Sequence, residues 1–453
     1  MSQRIVILGG GESGVGTALL AKQKGYDVFL SDFGQIKDKY KEMLRQGGIA
    51  FEDGGHTEEL ILNADEVMKS PGIPDETPIV SRIISRNIPI ISEIEFAARF
   101  TDAKMICITG SNGKTTTTSL IYYILSQAGL NVGLAGNIGR SLALQILDDP
   151  KDYYVIELSS FQLDNMYDFR AHIAVLMNIT PDHLDRYQFE MQHYVDSKMR
   201  IIQNQTPADT FIYWAQDDHI DAELQRRQCS MLNAQWSMVN GQCIEPTTPS
   251  SRPARPGHPT LLPFRDEDFE RLGLTFSQIG NHNKRNALAA YHAAKSLGID
   301  EQVIRRCLDT FPGVEHRLER VAEIQGVTYI NDSKATNVDA CYVALEAVNT
   351  PIVLILGGKD KGNDYSVLHS IIRTKCRALV FMGADNSKLH EAFRSLDIPT
   401  ADTHSMADAV RACHSFAQPG DTVLLSPCCA SFDLFRNMED RGEQFRDQVN
   451  LLT

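Results

Sequence analysis

One pattern recurs along this chain and limits what it can fold into. A short bare run of Val, Ile and Leu stops at a loop of Gly, Ser, Asn, Asp or Thr, and a helix-like segment follows. Apolar runs without polar alternation suit strands buried on both faces, as in parallel sheets covered by helices. The runs are Ile5–Leu8, Val28–Ser31, Met105–Thr109, Tyr153–Ile156, Ile173–Met177, Val327–Ile330, Ile352–Leu356, Ala378–Met382 and Val423–Leu425. Most end at a polar cluster. In open α/β sheets that edge is where ligands bind.

The 453 residues, at roughly 150 per domain, predict about three domains. The pattern restarts near Met105 and again at Val327, so the predicted blocks are 1–93, 94–312 and 313–453. The stretch Pro246–Pro263 is rich in Pro, Ser and Thr and is expected to form an exposed loop or insertion. The 58 acidic residues against 44 basic ones give a net charge of −14. This excess argues against binding a nucleic-acid backbone, which needs clustered cations, and against an anionic membrane surface. No apolar run approaches the ~20 residues of a membrane span. The N-terminal residues enter a strand-like run at once, without a signal-peptide pattern. The nine cysteines are odd in number and scattered. A cytosolic protein with reduced thiols is expected.

The strongest local motif is Thr109-Gly110-Ser111-Asn112-Gly113-Lys114-Thr115. A buried strand precedes it and a helix-like segment, Thr116–Ala128, follows. This is the setting of a phosphate-binding loop: backbone N–H groups and a helix N-terminus hold phosphates, Lys114 reaches their outer oxygens, and Thr115 binds Mg²⁺. It departs from GxxxxGK[ST] in having Ile108 at the first glycine position. Glu157 ends the run Tyr153–Ile156, where a carboxylate would hold Mg²⁺. His183 lies after Ile173–Met177 in the loop Asn178–Asp182 and its continuation. Lys198 falls on a helix-like stretch, Gln192–Ile202, where a surface lysine is the ordinary reading. Gly9–Gly14 matches GxGxxG, and Asp32 ends the next strand 21 residues beyond Gly11. Such a loop serves a nicotinamide dinucleotide or another nucleotide-like ligand, and Asp32 would then meet a ribose. In the third block, Asn331–Asn337, Gly357–Lys361 and Ser426–Asp433 each follow a strand; Lys334, Lys361 and Ser431 together suit a small anionic substrate.

The segments Gly110–Thr115, Glu157–Leu163, Asn178–Arg186, Gly280–Asn283, His316-Arg317 and Asn331–Asn337 resemble the Mur ligases of bacterial peptidoglycan synthesis. The third-block motifs resemble the D-glutamate-adding branch. The resemblance covers nearly the whole chain; only Gln228–Glu270 lacks recognisable motifs. It implies an α/β protein of three domains: a Rossmann-like N-terminal domain for the UDP part of the acceptor, a central P-loop domain with a mainly parallel sheet for ATP, and a Rossmann-like C-terminal domain for the amino acid. It implies an ATP-dependent amide ligase that joins D-glutamate to UDP-N-acetylmuramoyl-L-alanine through an acyl phosphate, as a cytoplasmic monomer with no nucleic-acid or membrane partner.

By the same resemblance Ser13, Asp32, Phe33, Ser70, Asn137 and Ser159 contact the UDP substrate. Gly110, Ser111, Asn112, Gly113, Lys114, Thr115, Thr116, Thr117, Asn283, Arg317 and Asp332 bind ATP. Lys334, Thr336, Lys361, Ser431 and Phe432 surround D-glutamate. Thr115, Glu157, His183 and Lys198 bind Mg²⁺, and Lys114, His183, Lys198 and Arg317 serve catalysis. An ammonium at Lys198 beside a cation would be repelled, at ~4 kcal/mol for charges ~4 Å apart at an effective dielectric of 20. The resemblance implies carbamylation of Lys198 by CO₂, which makes it an anionic ligand. Three rivals remain at this point: a nicotinamide-dependent oxidoreductase, a sister ligase such as another Mur enzyme or a folylpolyglutamate synthetase, and a non-enzymatic nucleotide-gated scaffold.

Overall fold

The computed structural model describes residues 2–227, 259–360 and 362–452, and of 228–258 only the backbone of 228–235, 237–239 and 242–244. The chain forms two compact units. One comprises residues 1–275 with 285–309, the other 276–284 with 310–453.

The first unit holds two parallel sheets. The first sheet contains β1 (Arg4–Leu8), β2 (Asp27–Asp32), β3 (Ala50–Asp53), β4 (Glu66–Lys69) and β5 (Ile90–Ile91) in the order β3-β2-β1-β4-β5. The second contains β6 (Lys104–Thr109), β7 (Val132–Gly136), β8 (Tyr153–Glu157), β9 (Ile173–Leu176), β10 (Thr210–Trp214) and a later strand, in the order late strand-β10-β9-β6-β8-β7. The short pair β11 (Ser237–Val239) and β12 (Gln242–Ile244) is antiparallel. The late strand is β13 (Thr260–Phe264), parallel to β10. The end of the Pro-rich stretch is therefore a sheet edge and not loop; residues 246–258 lie outside the described residues. Pro263 is tolerated because the edge strand has a free side that needs no ladder donor.

The apolar runs are buried as their composition requires: Ile5–Leu8, Ile106–Ile108 and Tyr154–Ile156 are sealed from solvent. The order of the second sheet places β9, β6 and β8 side by side, with Thr109 opposite Leu176 and Ile108 opposite Glu157. Three loops thus leave the same sheet edge next to one another.

The second unit holds β14 (Glu319–Ile324), β15 (Val327–Asn331), β16 (Ile352–Gly357), β17 (Cys376–Met382), β18 (Thr400–Thr403) and β19 (Thr422–Cys428), ordered β14-β15-β19-β16-β17-β18. All pairs are parallel except β14 with β15. That hairpin turns on Gln325-Gly326, both at positive φ (52° and 78°), the turn geometry that matches strand twist. Here β15, β19 and β16 are neighbours, so Asn331–Asn337, Ser426–Asp433 and Gly357–Asp360 also leave one edge. The seven cysteines with described side chains are free. Among the described residues no helix is long and apolar enough to cross a membrane.

Candidate active site

The phosphate-loop motif folds as a tight link between β6 and the helix Lys114–Gln127. The helix starts at Lys114, two residues earlier than the sequence pattern places it, so Lys114 and Thr115 occupy its first turn. Gly113 caps it at φ +83°, and a Cβ there would stand 2.5 Å from Asn286 Oδ1. Only glycine fits both the left-handed backbone and that approach. The loop is laced to the segment after β9. Ser111 N and Asn112 N donate to Asn178 O and Oδ1 at 2.9 and 2.8 Å. Asn178 Nδ2 returns a bond to Asn112 O, and Ser111 Oγ donates to Thr180 O at 2.8 Å. Thr117 Oγ1 donates to Asn286 Oδ1, and the buried hydroxyl of Thr116 has no hydrogen-bond partner among the described residues.

Two lysines converge on one carbonyl of this loop. Lys114 Nζ donates to Gly110 O at 2.7 Å and to Ser111 O at 2.9 Å. Lys198 Nζ, on the helix Met191–Met199, donates to the same Gly110 O at 2.9 Å. Lys198 is 1% exposed and lies over the Tyr194 ring. Burial holds its ionisation well below the ordinary lysine range, and the Lys114 charge lowers it further, against Asp182 and Asp164. The helical stretch predicted over Gln192–Ile202 ends at Met199 and continues as a 3₁₀ turn. Its lysine is no surface residue.

Glu157 ends β8 and is buried. Its Oε1 accepts from Asn137 Nδ2 at 2.8 Å; its Oε2 is buried with no hydrogen-bond partner among the described residues. A buried carboxylate oxygen left unpaired is costly unless something else meets it. His183 sits at φ +52°, a strained backbone position of the kind found at functional sites. Its ring packs edge-on to Phe161. Lys114, Lys198, His183, Asp182, Ser159 and Asn137 line one cavity of about 280 Å³. Larger cavities of about 400 Å³ lie at the opposite ends of the strands, around His172 and Lys104, away from these groups. Among the described residues no three His, Cys, Asp or Glu side chains gather as a metal site.

In the second unit, Asp332 is fully buried. Its oxygens accept from Leu318 N at 3.1 Å and Ser426 Oγ at 2.9 Å. Burial pushes its ionisation up to about 7, against the opposing charges of Arg317 and Arg441. The Nε of Arg317 is buried without a hydrogen-bond partner among the described residues. Arg441 donates to Ser333 Oγ, Ser333 O and Cys429 O, which ties the Asn331–Asn337 loop to the Ser426–Asp433 loop.

Comparison with known proteins decides the family. A MurD N-terminal domain model matches residues 4–79, a Mur ligase middle domain model 108–294, and a Mur ligase glutamate ligase domain model 316–429. The chain is 56% identical to the UDP-N-acetylmuramoylalanine--D-glutamate ligase of Bacteroides fragilis, covering 99% of this chain and 100% of the relative. It is 50% identical to the enzyme of that name from Porphyromonas gingivalis, covering 98% of each. The chain belongs to the Mur ligase family. The Mur ligase fold is seen also in solved structures: UDP-N-acetylmuramate-alanine ligase from Thermotoga maritima (TM-score 0.58, 17% identity, covering 99% of this chain and 100% of that one) and a pseudomurein peptide ligase type C from Methanothermus fervidus (TM-score 0.57, 20% identity, covering 100% of each).

Within this Mur ligase chain, the residues predicted for the UDP substrate have varied surroundings. Asp32 Oδ2 accepts from Gly10 N at 2.5 Å and Oδ1 from Gly34 N at 2.7 Å. One oxygen holds the glycine loop and the other the turn after β2. Ser13 O accepts from Thr17 Oγ1 at 2.8 Å in the first turn of the helix Glu12–Gln23. Phe33 is exposed. The Ser70 side chain packs where a Cβ on Gly9 would fall. Ser159 caps the helix Ser160–Leu163. In the second unit Asn283 is buried, with its Nδ2 donating to Ile279 O. Lys334 N and Thr336 N make loop bonds to His316 O and Lys334 O. Ser431 is buried and Phe432 exposed. Lys361 lies outside the described residues. Sequence reasoning missed Tyr194, Asp182, Asn178, Asn286 and Arg441. Tyr194 shares a 3.1 Å hydrogen bond with Ser111 across 83 residues of chain, a contact no local pattern announces.

Proposed function

We propose that this chain is the ATP-dependent ligase that joins D-glutamate to UDP-N-acetylmuramoyl-L-alanine, acting as a cytoplasmic monomer in peptidoglycan precursor synthesis. The names of its full-length relatives support the substrates. The observation that carries the chemistry is the convergence of half-buried Lys114 and buried Lys198 on one carbonyl of the phosphate loop. The proposed domains are 1–93 for the UDP part of the acceptor, 94–312 for ATP and 313–453 for the amino acid.

A carboxylate is a poor electrophile, and amide formation in water runs uphill. In the proposed reaction the alanyl carboxylate attacks the γ-phosphate of ATP, ADP leaves, and an acyl phosphate forms. The D-glutamate amine then attacks the acyl carbon and phosphate departs. Carboxylate and γ-phosphate are both anions, so catalysis rests on positioning and charge neutralisation. The N–H groups of Gly113 and of the first helical turn at Lys114–Thr116 cradle the phosphates, those of Ser111 and Asn112 being engaged by Asn178. Lys114 leaves the loop carbonyls for their outer oxygens, and Arg317 supplies a further cation to the γ-phosphate.

Glu157 Oε2, buried and without a hydrogen-bond partner among the described residues, fits a hard cation. Thr115, Glu157, His183 and Lys198 are the proposed Mg²⁺ holders. When bound, Mg²⁺ neutralises the phosphate charge. Lys198 joins this set as a carbamate: its neutral amine adds to CO₂, an N–C bond forms, and one proton leaves to solvent. The depressed ionisation of Lys198 supports this, since only the free amine reacts. Asn283 and Asp332 are assigned to the adenosine side. Lys334, Thr336, Lys361, Ser431 and Phe432 are assigned to D-glutamate, whose two carboxylates suit lysine donors. Ser13, Asp32, Phe33, Ser70, Asn137 and Ser159 are assigned to the UDP substrate.

The test is phosphate release from ATP with UDP-N-acetylmuramoyl-L-alanine, adding D-glutamate, L-glutamate, meso-diaminopimelate or L-lysine in turn. Release with D-glutamate alone is expected. Release only with another amino acid would assign the chain to a sister reaction, and none at all would reopen a binding role.

A further inference from the structure

One buried side chain meets all three loops that leave the carboxyl edge of the second unit's central strands. Arg441 belongs to the helix Met438–Asn450 and is 0% exposed. Its Nε and Nη2 form a fork on one residue, Ser333, donating to Oγ at 2.9 Å and to the carbonyl at 2.8 Å. Nη1 donates to Cys429 O at 3.1 Å. The third loop comes close too. Gly358 sits at φ +131°, and a Cβ there would stand 3.2 Å from Nη1 and 2.3 Å from Ala430 O. Only glycine fits both the backbone and that approach. The loops after β15, β19 and β16 therefore meet around one guanidinium.

Each loop runs on from this contact to residues assigned to the amino acid: Lys334 and Thr336 after Ser333, Ser431 and Phe432 after Cys429, and Lys361 after Gly358. The contact points are themselves held. Ser333 Oγ donates its proton to Met438 O at 2.8 Å, which leaves its lone pairs to the guanidinium. Lys359 N donates to Ala430 O at 2.8 Å, so the loops after β16 and β19 are also joined directly.

The arrangement is costly. A cation in the first turn of a helix opposes the helix dipole, and this one is out of water with three neutral acceptors. Burial draws its ionisation down to about 10, against Cys429, Asp433, Cys428 and Asp332, so it stays charged at neutral pH. An apolar side chain can fill such a space. Only a planar fork of donors fixes two carbonyls and a hydroxyl from separate loops at once.

We propose that Arg441 is a positioning residue for the amino-acid substrate, setting the spacing of the three loops from which that substrate is held. This rests on the D-glutamate reading above. A substrate with two carboxylates needs several donors at fixed spacing, so a shift of one loop against another is felt in its binding.

The experiment is steady-state kinetics of the full chain, with D-glutamate, ATP and the acceptor each varied in turn. Arg441→Lys keeps the charge and loses the fork. It is expected to raise the KM for D-glutamate about tenfold or more, to lower kcat by a smaller factor, and to leave the KM values for ATP and the acceptor nearly unchanged. Ser333→Ala takes one acceptor from the fork and leaves the guanidinium in place; a smaller rise in the same KM is expected. A thermal melt shows whether each variant is folded at the assay temperature, and if Arg441→Lys is not, Ser333→Ala decides. A folded variant whose KM for D-glutamate matches wild type, or whose three KM values rise alike, overturns the positioning role alone. Wild-type chain that releases phosphate only with a different amino acid overturns the D-glutamate reading alone, and the positioning role is then read from the KM for that amino acid. Wild-type chain that uses no amino acid overturns both.

Discussion

Lys114 and Lys198 donate to the same carbonyl oxygen, that of Gly110, at 2.7 and 2.9 Å. Two ammonium groups so placed repel each other, and one of them is sealed from water. The arrangement relaxes when Lys198 is neutral, and a neutral amine is the form that the proposed carbamylation requires. Lys198→Ala should therefore lower kcat by at least about 100-fold, and Lys198→Arg should not restore it, because a guanidinium forms no carbamate. Wild-type activity should fall in CO₂-depleted buffer and return with bicarbonate. An alanine variant as active as wild type would sink the carbamate role.

Gly113 offers a test of the loop itself. At φ +83°, with Asn286 Oδ1 2.5 Å from the place of a Cβ, alanine meets both backbone strain and a clash. Gly113→Ala should cost on the order of 1–3 kcal/mol locally and raise the KM for ATP more than that for D-glutamate. Steady-state kinetics with each substrate varied in turn would read this. Unchanged ATP kinetics would mean the loop tolerates a shift and holds no phosphate.

What the sequence made legible follows the range of the interaction. Buried parallel strands announce themselves as bare apolar runs, so β6, β8, β9, β16 and β19 were readable, and with them the loops at their ends. Edge strands are half exposed and carry charge: β14, with Glu319, Arg320 and Glu323, gives no such run. The phosphate loop is local and was readable from spacing and from its setting. The burial of Lys198 was not, because it depends on Gly110 reaching it across 88 residues. Arg441 was illegible for the same reason: its partners, Ser333 and Cys429, come from two other loops. The two backbone N–H groups that engage the Asp32 carboxylate, from Gly10 and Gly34, were not legible in the spacing that singled Asp32 out.

Lys334 and Lys361 test the amino-acid assignment. A hydrogen bond to a charged group contributes about 1.5–3 kcal/mol, so Lys334→Ala or Lys361→Ala should raise the KM for D-glutamate roughly 10- to 150-fold and leave that for ATP nearly unchanged. Equal rises for both substrates would contradict the assignment.

Asp332 makes the fold sensitive to pH. Its ionisation is pushed up to about 7 in the folded chain, against about 3.9 when unfolded. Between those values the native state keeps a proton that the unfolded state has released. Stability from this group is therefore present below pH ~4 and is lost as pH rises through about 7. Asp332→Asn stays neutral throughout. Its carbonyl can still accept from Leu318 N, and its amide can donate to Ser426 Oγ. Thermal unfolding of both proteins should give similar Tm values near pH 4.5, with the variant gaining on wild type as pH rises to 7.5. Melting curves that stay parallel across that range would mean that Asp332 ionises alike in the folded and unfolded chains. Its two hydrogen bonds, with Arg317 and Arg441 nearby, would then hold the charged form as well as water does.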